Sequence, residues 1–113
     1  MTEQQTYRIA MIGDSSTVRG FSAGGIDPYS AEDSIQALRF LEQLVDEQKH
    51  AIIFITETLA ESIIDNITSV KSGTIPSVII IPDQSKSKGV GYEKIRFAVE
   101  RAIGIDLLGA DSK

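Results

Sequence analysis

Ala51-Ile52-Ile53-Phe54-Ile55 is the stretch on which the fold of this chain turns. It is a run of strand length with no polar residue in alternation. A strand with one wet face alternates apolar and polar side chains. A strand without alternation is covered on both faces, as in a parallel sheet with helices above and below. Val78 to Ile81, framed by Pro76 and Pro82, has the same character. Tyr7 to Ile12 (YRIAMI) is a third apolar run, rich in β-formers.

Between these runs lie helical patterns. Gly13-Asp14-Ser15-Ser16-Thr17 reads as a tight turn and a helix start, with Asp14 or Ser15 as N-cap. The helix covers 16–23 and stops at Gly24-Gly25. Ile26 to Tyr29 carries Pro28, which cannot donate from inside a sheet, so this is a very short edge strand. A helix is expected over 31–48 with Ser30 as N-cap and acids in its first turn. Its apolar arc, from Ile35 through Phe40 and Leu44 to Val45, covers more than half the circumference, so the helix is either deeply packed or bound to something on one edge. Thr58-Leu59-Ala60-Glu61 is a capping box, opening a helix at about Leu59 that runs to Val70. Helices alternating with buried strands mean right-handed βαβ units. The expected architecture is α/β: a Rossmann-like, flavodoxin-like four-stranded parallel sheet, order 2-1-3-4, flanked by helices.

The last stretch, Lys88 to Leu108 (KGVGYEKIRFAVERAIGIDLL), is a C-terminal amphipathic helix entered through Gly89 and Gly91. At 100° per residue Tyr92, Ile95, Ala98, Val99, Ala102 and Ile103 share one face. Phe97 lies among charges on the other, with Arg101 one turn on and Leu108 at nearly the same angle. The chain therefore divides into an α/β core over 1–82, a flexible loop over 83–91, the helix over 92–108 and a frayed tail over 109–113. The glycines of the loop leave the last helix free to shift against its domain.

Composition narrows the function. The 113 residues suit one domain, and a net charge of −5 argues against non-specific nucleic-acid binding and against an anionic membrane surface. There is no cysteine, so thiolate nucleophiles, disulfides and Cys-based metal sites are excluded. His50 is the sole histidine; it precedes the 51–55 strand, reads as a surface or loop residue, and lies at the wrong edge of the sheet to pair with Ser15 or Ser16 as a nucleophile. No apolar run approaches the roughly 20 residues of a membrane span, and a cytoplasmic chain is expected. Asp14, Glu57 and Asp83 follow three strands at their carboxyl ends, where they could hold Mg²⁺ as in a receiver-like signalling domain. The same positions equally suit N-caps and turns. Glu57 stands where a receiver carries its phosphorylated Asp, and the fifth strand with its Lys is missing.

Several stretches together resemble the F subunit of V-type and A-type ATPases and ATP synthases, called the G subunit in some bacterial complexes. They are Ile9-Ala10-Met11-Ile12-Gly13-Asp14 with Thr17-Val18 and Gly20-Phe21, then Ala23-Gly24-Gly25-Ile26. Ile53-Phe54-Ile55-Thr56-Glu57, Pro76 to Pro82, and Val99-Glu100-Arg101-Ala102-Ile103-Gly104 follow in the same order. The resemblance implies a non-catalytic protein without cofactor or metal, on the central rotor stalk and peripheral to the membrane. It implies binding to the coiled-coil D subunit of the rotor and a part in coupling ATP turnover in the A/B head to rotation and H⁺ or Na⁺ transport. Phe97, Arg101 and Leu108 are the expected partner-binding residues, with Phe40 and Leu44 at the edge of the second helix beside them.

Overall fold

A computed structural model describes residues 6–22, 24–70, 75–82 and 92–104. Four strands, β1 (Arg8–Gly13), β2 (Asp27–Ser30), β3 (His50–Thr56) and β4 (Ser77–Ile81), form one parallel sheet in the order β2-β1-β3-β4. Helices α1 (Ser15–Ser22), α2 (Ser34–Glu47), α3 (Glu57–Glu61), α4 (Ile64–Thr68) and α5 (Tyr92–Ile103) cover it. The α/β architecture and strand order are those the sequence predicts.

The 51–55 run behaves as its composition demands. Ile52, Ile53, Phe54 and Ile55 are all buried, and successive residues point into different cores. Ile53 and Ile55 join Ala10, Ile12, Leu41 and Leu44 under α2, α3 and α4. Ile52 and Phe54 join Met11, Val18, Phe21, Ile95 and Val99 under α1 and α5. β4 is less covered than its composition suggests: it is an edge strand, and Ile80 is exposed.

Local chemistry sets the helix ends. Asp14 caps α1, its carboxylate accepting from the Thr17 backbone N–H at 3.2 Å, the Thr17 hydroxyl at 2.7 Å and the Ser16 hydroxyl at 2.9 Å. Gly24 and Gly25 end the helix, Gly25 at φ +88°, which suits a residue without Cβ. The second helix starts at Asp33, not Ser30. Ser30 is the last residue of β2, registered against Gly13, and the next amide donates to the Gly13 carbonyl at 2.9 Å, so the chain there is still in the ladder. Asp33 accepts from the Gln36 amide at 3.0 Å, while the Gln36 side chain reaches back to the Glu32 amide at 2.7 Å, a reciprocal cap.

The single helix expected over 59–70 is two short ones. It begins at Glu57, before the capping box at Thr58, and breaks at Ser62-Ile63, where Ile63 has φ −124° and ψ 26°. From Ile63 the sequence runs Ile-Ile-Asp-Asn-Ile-Thr-Ser, all poor helix formers. Burial of Leu59, Ile63 and Ile67, rather than propensity, holds this segment.

His50 is also not where the sequence reading puts it. It opens β3 and is only 3% exposed. Its Nε2 lies 2.9 Å from Asp27 Oδ2, and Arg8 donates to the same carboxylate through Nε at 2.7 Å and Nη2 at 2.5 Å. The three residues come from three adjacent strands and clasp the amino edge of the sheet. Tyr29 stands edge-on to both His50 and Phe40, with ring centroids 6.4 and 5.3 Å apart. Hydrogen bonding from Arg8 holds the Asp27 carboxyl at about 2; partial burial opposes this and the His50 bond adds to it.

The packing at Gly13 and the clasp at Asp27 can both be tested by substitution. A Cβ at Gly13 would meet Thr56 Cγ2 at 3.0 Å, and Thr56 is buried, so Gly13→Ala should destabilise the fold by about 1–3 kcal/mol in urea unfolding. The folded pKa of Asp27 lies below the unfolded value of about 3.9, so its contribution is present above that pH and fades as pH falls from about 4 towards 2. Asp27→Asn should cost roughly 1–3 kcal/mol at neutral pH and flatten this acid limb. An unaltered acid limb in the variant would show that the clasp does not set it.

Candidate functional site

α5 is docked on its own domain. Ile95 and Val99 are buried, and Ala98, Ala102 and Ile103 pack half-buried beside them against the α1 side of the sheet. The spacing of these residues at three and four places fixes which face is left outside. Phe97 stands on that outer face, 63% exposed. Arg101, one turn on, places its guanidinium carbon 6.0 Å from the Phe97 ring centroid, at the outer limit of a cation–π contact. On the flank, Arg96 Nε donates to Glu100 Oε2 at 3.2 Å, an i,i+4 pair. This pair rims a cleft of about 260 Å³ between α1 and α5, whose apolar wall includes Phe21, Ile26 and Val99. The cleft depends on how α1 and α5 lie side by side, which no local pattern reveals.

The other expected partner residues do not join this surface. Phe40 is half-buried against Tyr29. Leu44 is fully buried within the core, so it offers no surface to a partner; the broad apolar arc of α2 is spent on packing at that position. Leu108 lies outside the described residues, as do the 83–91 loop and the 109–113 tail.

Of the three carboxylates Asp14, Glu57 and Asp83, the described residues hold the first two. Asp83 lies outside the described residues, and no group of three His, Cys, Asp or Glu side chains among the described ones is placed to hold a metal. Burial pushes the Asp14 carboxyl up, but hydrogen bonds from Thr17 and Ser16 outweigh it and hold the group below its ordinary range. Those bonds are helix-capping bonds. Glu57 is exposed in the first turn of α3, as suits the helix dipole. Among the described residues no helix is long and apolar enough to cross a membrane.

The model of the ATP synthase (F/14-kDa) subunit family matches residues 9–99, from β1 into α5. The F subunit of a V-type ATP synthase from Fusobacterium nucleatum is 36% identical over 102 residues, covering 90% of this chain and 96% of its own. The F subunit of an A-type ATP synthase from Thermococcus kodakarensis is 39% identical over 105 residues, covering 88% of this chain and 97% of its own. The V-type F subunit of Clostridium perfringens is 31% identical over 101 residues, covering 89% of this chain and 95% of its own. With both the V-type and the A-type relatives matched almost end to end, the chain belongs to the ATP synthase (F/14-kDa) subunit family.

Proposed function

We propose that this chain is a non-catalytic component of the central rotor stalk of a V/A-type ATP synthase. In this reading it binds the coiled-coil D subunit of the rotor and helps couple ATP turnover in the A/B head to rotation and to H⁺ or Na⁺ transport. It acts from the aqueous side, peripheral to the membrane. Family membership supports the setting. The observation that carries the binding surface is Phe97, a large aromatic held in water on a helix whose opposite face packs on the core through Ile95 and Val99.

The physical case is one of unused apolar area. A phenyl ring left mostly in water contributes little to the folded monomer, yet it can bury most of its surface against a partner. Aromatic and arginine side chains are the commonest interface anchors, and Arg101 sits exposed beside the ring, where it can meet an acid on the partner. A coiled coil presents ridges of apolar side chains flanked by charge, which suits a ring with a guanidinium next to it. Leu108 extends the same stripe by sequence angle. Phe40 is at most a minor contributor, and Leu44 takes no part.

Phe97→Ala is expected to weaken binding to the coiled-coil D subunit by roughly 1–3 kcal/mol. Circular dichroism and the thermal midpoint of the isolated chain should be unaltered, because the ring is exposed. Arg101→Glu should weaken binding further at low salt than at high salt. Calorimetric titration of both variants decides the matter: an affinity equal to that of the parent chain would remove α5 from the interface.

A further inference from the structure

The two helical layers carry opposite charge. From Ala31 to Val70, the span holding α2, α3 and α4, eight acids face two Lys or Arg residues, and all ten are exposed. In α1 and α5 together, four bases face two acids. Among the described residues the acidic excess therefore sits on one face, opposite the face that bears Phe97.

That acidic layer is also grooved. Between the second half of α2, the end of α4 and the approach to β4 runs an open groove of about 670 Å³. Leu38, Val45, Val70 and Ile75 line it, each only half-buried, so apolar area remains in water. Glu42 and Asp46, one turn apart on α2, stand on its rim; among the described residues no basic side chain lines it. Leu38 and Val45 thus leave apolar area of the α2 arc in this groove, whereas Leu44 is spent on the core.

We propose that the α2–α4 groove is a docking site for a basic amphipathic helix of a partner protein. The apolar stripe of such a helix would cover Leu38, Val45, Val70 and Ile75. Its Lys or Arg residues, three or four places from the stripe, would meet Glu42 and Asp46. An acidic helix would set like charges against the rim. The groove lies on the layer opposite α5, so it serves a second contact and does not depend on the Phe97 reading.

The test uses the full chain, which has no Trp. A Leu/Lys amphipathic peptide of about five helical turns with one Trp serves as the probe, and its fluorescence reports binding. Saturable binding is expected, weakened at least tenfold by Glu42→Lys with Asp46→Lys. Glu57→Lys with Glu61→Lys, the same charge change on α3 away from the groove, should alter it less than about twofold. These side chains are all exposed, and circular dichroism checks that both double variants fold. No binding, equal weakening by both variants, or equally tight binding of a Leu/Glu peptide would overturn the proposal. So would a dimer that the Glu42→Lys and Asp46→Lys changes dissolve, since the groove would then belong to a second copy of the chain.

Discussion

Everything in this molecule depends on β3 being buried on both faces. Ile52, Ile53, Phe54 and Ile55 are all but inaccessible to water. Fully burying each of these side chains contributes about 1.5–3 kcal/mol, so the four together are comparable to the whole net stability of a small domain. A strand that apolar cannot sit at the surface on either side. It needs a helical layer above and another below, and it needs strand neighbours on both edges, which β1 and β4 supply. The parallel arrangement follows, because each helix must cross from the end of one strand to the start of the next. The docked position of α5 has the same cause: with Ile95 and Val99 it completes the cover over Ile52 and Phe54.

Much of this is legible in the chain. Apolar runs without alternation announce buried parallel strands, Pro28 announces an edge, and Asp14 announces a cap; each rests on a few adjacent residues. What stays hidden depends on distance. His50 reads as a loop residue because its partner Asp27 is 23 residues away and on a strand that is not its neighbour. The break at Ser62-Ile63 is masked by an apolar spacing that reads as continuous although the residue types resist helix. Ser30 reads as a cap because hydroxyls suit caps, but a ladder position claims its backbone first.

The surfaces divide in the same way. That Phe97 stands among charges can be read from helical angle alone, and the side chain is indeed exposed. The edge of α2 cannot be read so. Its apolar arc is too wide for spacing to say which side is covered, and the packing of α3 and α4 decides that Leu44 is inside while Leu38 and Val45 border a groove. The separation of charge between the two layers is likewise a property of the assembled sheet: acids that are scattered from Glu32 to Asp65 in the sequence come to lie on one side of it.

The two margins of the sheet have a consequence for the fate of newly made chains. An unpaired strand edge is a template on which another chain can stack. At one margin β2 is four residues long, and Pro28 within it has no N–H to offer. At the other, β4 is the more hazardous, Ser-Val-Ile-Ile-Ile with Ile80 in water. Pro76 and Pro82 bracket it, and neither can extend the ladder by donating. A foreign strand finds at most five residues to pair with before meeting proline. The chain is thereby guarded against amyloid-like stacking while it stands alone.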